Sequence, residues 1–212
     1  MAPTAAFPTG HPYWPGAVGA CGRFVALEGV GCSGKSTLAA ILARRWKCPN
    51  LHTAPTPLDR LQPYVNTRAG ALPHLVFYLG GALHVSDLAR AALTLGHVVA
   101  DRYTGSVVAN HAAIHHTNTR DTQAVIEPFA HYLLRPHITV YLHTPVDEIL
   151  ERSRRRGRTD RRALTPELVQ RLQARFDEVA ARDPTALHVA TASRTPDEIA
   201  EFVTRALAEA VT

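Results

Sequence analysis

One octapeptide constrains this chain more than any other stretch. Residues 29–36, GVGCSGKS, match G-x-x-x-x-G-K-[ST] at every fixed position. Glycines there let backbone N–H groups turn inward around phosphates, and the N-terminus of the following helix adds partial positive charge. Lys35 is placed to reach β- and γ-phosphates, and the Ser36 hydroxyl to ligate Mg²⁺. Only two lysines occur in the chain, Lys35 and Lys47, so a chance match is expected in roughly one chain in a thousand. Gly29, Gly31, Cys32, Ser33, Gly34, Lys35, Ser36 and Thr37 are therefore the expected binding residues for ATP.

Gly29, Gly31 and Gly34 also spell G-x-G-x-x-G, the dinucleotide fingerprint. That reading wants an acid about twenty positions on, and residues 49–54, PNLHTA, have none. Lys35-Ser36 outweighs it. A GTPase switch would want an Asn-Lys-x-Asp motif, which is missing. An ATP-binding regulator that transfers nothing stays open at this point.

The flanks have the right context. Phe24–Glu28, FVALE, is an apolar run bounded by glycines, as a buried strand should be. Residues 36–46 carry apolar positions at helical spacing. Further strands are expected over 50–54, 97–101, 137–142 and 187–191. Helices are expected over 71–95 (with a possible kink at Gly80-Gly81), within 106–134, after Thr144-Pro145, over 165–182 and over 196–210. Thr165 reads as an N-cap with Pro166 at the first helical position. Strands alternating with helices imply an α/β fold with a parallel sheet covered on both faces. Residues 21–212 read as one domain, preceded by a loosely ordered tail over 1–20 that is rich in Pro, Gly, Ala and Thr. The chain has no long apolar run and no signal-peptide pattern, and its three cysteines, Cys21, Cys32 and Cys48, follow no metal-like spacing. These features point to a reducing, cytoplasmic setting without membrane contact. The net charge of +5 is concentrated locally, and no nucleic-acid-binding signature accompanies it.

Two further motifs bear on chemistry. Asp101-Arg102-Tyr103 follows an apolar strand directly, where open α/β sheets bind ligands. Asp101 can hold Mg²⁺ or orient an acceptor, and Arg102 can grip a phosphate bidentately. Seven arginines lie between Arg152 and Arg162. Arginines closing over a transferring phosphoryl group stabilise its spreading charge, but a solvated helix face accounts for several of the seven. Arg156 and Arg158, flanking Gly157, are the preferred pair. The expected catalytic set is Lys35, Asp101, Arg102, Arg156 and Arg158, with Arg152 beside the nucleotide and Ser36 and Asp101 at the metal.

The combination resembles the thymidylate kinase family. Residues 24–37 are similar to that family's strand and phosphate loop, and 96–106 (GHVVADRYTGS) to its Asp-Arg-Tyr segment. Residues 150–161 are similar to its arginine-bearing lid, and 176–184 to the helix and Asp-Pro turn that follow. The resemblance implies a three-layer P-loop kinase fold: a five-stranded parallel sheet flanked by helices, with an Arg-rich lid. It also implies ATP–Mg²⁺ as donor and a homodimer. The departures fall on the acceptor side. Gly31 stands where the family usually has aspartate. Thr53-Ala54-Pro55 replaces Arg-Glu-Pro, and residues 77–84 lack the usual arginine.

A phosphate acceptor is already ionised, whereas a hydroxyl acceptor benefits from a base. The related deoxynucleoside kinases place a glutamate after the second strand, and Ala54 and its neighbours supply none. The sequence thus favours a nucleoside-monophosphate-like acceptor. The alternative is a hydroxyl of a nucleoside or of a small natural product, with Asp101 or Glu28 as base. Glu28, Phe77, Arg102 and Tyr103 are the expected acceptor-side residues, the aromatics serving either to stack a base or as ordinary core. His111 and His115, four apart with His116 adjacent, can share a metal in principle. No third ligand stands at a telling spacing, so they read as a polar helix face near the acceptor cleft.

Overall fold

The computed structural model describes Tyr13, Pro15 and residues 19–157 and 163–209. The expectation of a loose tail falls almost wholly outside these residues. The strands are β1 (Phe24–Glu28), β2 (Asn50–His52), β3 (Val98–Asp101), β4 (Ile138–His143) and β5 (Ala186–Ala190). The helices are α1 (Lys35–Trp46), α2 (Gln62–Arg68), α3 (Ala71–Leu93), α4 (Thr104–His115), α5 (Thr119–Ile126), α6 (Val146–Arg156), α7 (Pro166–Ala180) and α8 (Pro196–Glu209).

All five strands are parallel, in the order β2-β3-β1-β4-β5. β1 is central, and every one of its residues is fully buried. Successive side chains of a strand point to opposite faces, and both faces of β1 are covered. Val25 and Leu27 pack with Val99, Val140 and Leu142 under α1 and α8. Phe24 and Ala26 pack with Val98 and Ala100 under α3 and α4. Each large side chain buried this way contributes about 1.5–3 kcal/mol, which is why FVALE is apolar without alternation. A third cluster joins Val30 and Tyr141 to Ile149 of α6 and to Leu168, Val169, Leu172 and Phe176 of α7. Three layers result, as the resemblance implies.

The chain leaves β1 to one side for β2 and β3 and to the other for β4 and β5. Ligands of such sheets sit beyond the carboxyl ends of the strands, where the order reverses. The Thr165 hydroxyl accepts from Leu168 N–H at the start of α7, as the sequence predicts. α3 runs unbroken through Gly80-Gly81, so no interruption occurs there. The reason for Gly81 is a neighbour. A Cβ on it would lie 1.7 Å from the Thr53 carbonyl oxygen, so the glycine is what lets α3 pass the end of β2. Among the described residues, no helix is long and apolar enough to cross a membrane.

Candidate active site

The phosphate loop links the end of β1 to α1. Gly29 (φ 135°) and Gly34 (φ 100°) adopt left-handed backbone, as does Cys32 (φ 66°). A Cβ on Gly29 would come within 2.7 Å of the Leu142 carbonyl oxygen, so position 29 tolerates glycine alone. Lys35 is buried, and its Nζ donates to the Val30 carbonyl at 2.6 Å and to Ser33 Oγ at 3.1 Å. Burial pushes its ammonium well below the usual lysine range, and the Arg102 charge adds to this. Asp101 and Glu28 pull the other way. Ser36 and Thr37 are exposed at the first turn of α1.

Asp101 ends β3, its Cα paired in register with Leu27 next to the loop. It is buried, and its Oδ1 has no hydrogen-bond partner among the described residues. A buried carboxylate oxygen with nothing to accept from suits a cation or a bound proton donor. Arg102 holds a left-handed φ of 77°, uncommon for a side-chain-bearing residue and frequent at functional sites. Its N–H donates to Leu27 O at 3.0 Å, its carbonyl accepts from Thr53 Oγ1 at 2.8 Å, and Nη1 donates to Ser106 Oγ at 3.3 Å. Those bonds hold the strain and aim the guanidinium.

Glu28 is fully buried; its carboxylate accepts from Tyr103 N–H at 3.0 Å and from the Ser106 hydroxyl. Burial raises its pKa, partly offset by the Ser106 bond. Gly105 makes room for it, since a Cβ there would stand 3.0 Å from the carboxyl group. Glu28 therefore supports the Arg102–Ser106 segment from below and is closed off from solvent.

α6 carries the lid arginines. Only Ile149 of this helix is buried. Arg152 Nη1 donates to the Cys32 carbonyl at 3.3 Å while Nη2 pairs with Glu148. Arg156 Nη1 lies 3.9 Å from Cys32 Sγ. Arg154 and Arg155 both pair with Glu151 and are well exposed. Arg152 and Arg156 thus overhang the loop, whereas Arg154 and Arg155 form the solvated face. Gly157 ends α6 with a left-handed φ of 56°. Arg158, Arg161 and Arg162 lie outside the described residues.

A cavity opens beside Gly31 and Arg102, walled by α3, α4 and α7. Its apolar side is formed by Val107, Ile114, Leu164, Leu168 and Leu172, its polar side by Thr53, Asn66, Tyr78 and Asn110. Among the described lining residues, Arg102 is the one lysine or arginine and there is no carboxylate. No side-chain pattern announced Asn66 or Asn110, which come from α2 and α4. Besides Glu28, two expected acceptor-side residues do not line the cavity. Tyr103 does not face the cavity: it is 1% exposed, packs edge-on against Phe24 with centroids 5.2 Å apart, and its hydroxyl meets Ser86. The reason is that the helix begins at Thr104, which turns Tyr103 into the core. Phe77 stands against Tyr78 but does not line the cavity. Tyr78 lines it instead, its hydroxyl donating to Asn66 Oδ1 at 2.8 Å.

The family model described as thymidylate kinase matches residues 27–203. Thymidylate kinase of Pseudomonas fluorescens is 32% identical over 153 residues, spanning 66% of this chain and 72% of that protein. Thymidylate kinase of Thermomicrobium roseum is 28% identical over 204 residues, spanning 85% and 91%. Among solved structures, thymidylate kinase from Candida albicans superposes with a TM-score of 0.72 at 20% identity, over 91% of this chain and 93% of that one. Deoxyadenosine kinase from M. mycoides gives 0.68 at 16% identity, over 88% and 99%. With a phosphate loop, an arginine-bearing helix above it and a family match over most of its length, the chain belongs to the thymidylate kinase family of ATP-dependent kinases.

Proposed function

We propose that this chain is a cytoplasmic kinase, its sheet and helices from residue 21 acting as one domain, that transfers the γ-phosphoryl group of ATP to a nucleoside-monophosphate-like acceptor. The observation that carries the choice of acceptor is the cavity wall: among its described lining residues there is an arginine and no carboxylate. A phosphate monoester needs a cation and no base, and Arg102 supplies the cation. The apolar wall and Tyr78 suit a flat ring.

Phosphoryl transfer asks the protein mainly for positioning and charge stabilisation. Loop amides and Lys35 cradle the β- and γ-phosphates, and Lys35 exchanges the Val30 carbonyl for phosphate oxygens. Ser36, exposed at the start of α1, and Asp101, with its unpartnered Oδ1, fit a hard divalent cation with oxygen ligands. Ser36 and Asp101 would hold magnesium there, and the ion would supply charge neutralisation on the donor phosphates. Arg152 and Arg156 stabilise charge on the transferring group from above, and the proposal extends the same role to Arg158 on its place in the sequence. Arg102 aligns the acceptor phosphate in line with it. Family likeness extends the proposal to a homodimer, read by light scattering.

A second reading, phosphorylation of a hydroxyl on a nucleoside or small natural product, is favoured by the free Oδ1 of Asp101, which can take a hydroxyl proton. One experiment separates the two: coupled ADP release with Mg²⁺–ATP against panels of nucleoside monophosphates, nucleosides and hydroxylated natural products. Turnover confined to monophosphates supports the first reading, and turnover confined to hydroxyl acceptors supports the second. Lys35→Ala is expected to abolish both, and near-normal turnover in that variant would end the kinase mechanism proposed here.

A further inference from the structure

The acceptor cavity has a neighbour that phosphoryl transfer does not use. His111 and His115 are one turn apart on α4 and share a face. His74, in the first turns of α3, packs against both, with ring centroids 4.8 Å from His115 and 5.7 Å from His111. The two α4 rings stand 4.6 Å from each other. One ligand nitrogen from each histidine falls within 4.8 Å of the other two, and Nδ1 of His111 lies 3.5 Å from Nδ1 of His74. The third ligand absent from the α4 pattern thus arrives from a different helix, 37 residues earlier.

We propose that His74, His111 and His115 bind one divalent transition-metal ion of the zinc class, joining α3 to α4 beside the acceptor cavity. The geometry is close to what such an ion needs. Tetrahedral zinc with bonds of about 2.0–2.1 Å sets its ligand nitrogens about 3.3 Å apart. The His74–His111 pair already stands near that spacing, and side-chain rotation brings His115 in. An all-imidazole set suits zinc, cobalt, nickel or copper and not magnesium, so this site is distinct from the nucleotide metal. Three protein ligands leave a further position for water. His74 also lines the acceptor cavity, so the ion adds positive charge beside a pocket otherwise served by Arg102.

The test uses tag-free, full-length protein stripped with chelator and titrated with Co²⁺. One equivalent producing visible ligand-field bands of low-coordinate cobalt, displaced by Zn²⁺, is expected. His74→Gln and His111→Gln should each weaken binding by at least about a hundredfold, since even outer-shell changes cost 10–100-fold. His131→Gln, at an exposed histidine, should leave it unchanged. X-ray absorption of the zinc-loaded wild type needs no variant and should show three imidazoles per ion. Absent bands, a shell of oxygen alone, or bands that survive both substitutions would overturn the site.

Discussion

Replacing Gly81 by alanine tests the packing of α3 against the acceptor wall. The new Cβ would sit 1.7 Å from the Thr53 carbonyl oxygen, where ordinary contact begins at 3.4 Å. Helix and strand end must therefore part by about 1.7 Å, and both colliding groups are fixed to backbone. Overpacking of this kind costs about 1–3 kcal/mol or more, against about 1 kcal/mol gained from alanine's helix propensity. Gly80→Ala is the matched control. Position 80 is exposed with nothing within 4 Å of a Cβ, so the propensity gain stands alone. The propensity gain is common to both variants, so they should differ by the overpacking cost alone, about 1–3 kcal/mol, read as urea midpoints separated by about 0.5–1.5 M. Thr53 also bonds the Arg102 carbonyl, so Gly81→Ala should raise the acceptor KM while leaving the ATP KM close to wild type. Equal urea midpoints for the two variants would refute the close approach and the explanation of this glycine.

Glu28→Gln addresses the buried carboxyl. Its pKa is raised from 4.5 by burial, so the folded state holds its proton more tightly than the unfolded chain. The associated stability is fully present below 4.5 and is lost as pH rises through the folded value. Glutamine should flatten that loss, and a variant-minus-wild-type difference independent of pH from 4 to 8 would contradict it. Arg152→Ala should lower kcat about 10²–10³-fold, whereas Arg155→Ala, on the solvated face, should change it less than about threefold. Steady-state kinetics that ranked the two alike would remove the lid assignment. Tyr103→Phe deletes the hydroxyl bonded to Ser86 and should cost about 1–2 kcal/mol in urea unfolding with an unchanged acceptor KM. A large KM effect would return Tyr103 to the acceptor side.

The strands that carry the site were legible because burial on both faces demands an uninterrupted apolar run, as in Phe24–Glu28. The N-cap at Thr165 was legible because its chemistry is local. What resisted reading was set by contacts between distant segments. Gly80-Gly81 reads as a weak point in a helix, and only the passage of Thr53 reveals Gly81 as a clearance. Phe77 and Tyr78 are adjacent aromatics, and which one enters the cavity depends on how α3 is rotated against α2 and α4. Tyr103 is a single residue from the start of α4, and that offset decides between core and cleft. The histidines on α4 are visible as a pair, but their companion on α3 becomes visible only when the helices pack.

In the mechanism proposed above, Lys35 already rests on its own loop's carbonyl and hydroxyl, so nucleotide arrival is a swap of partners and not the quenching of an idle charge. Part of the attraction is spent before ATP appears, which tempers how tightly ADP can cling afterwards. The same contact braces the loop in its receptive shape between turnovers, so departure of one nucleotide leaves the cradle ready for the next.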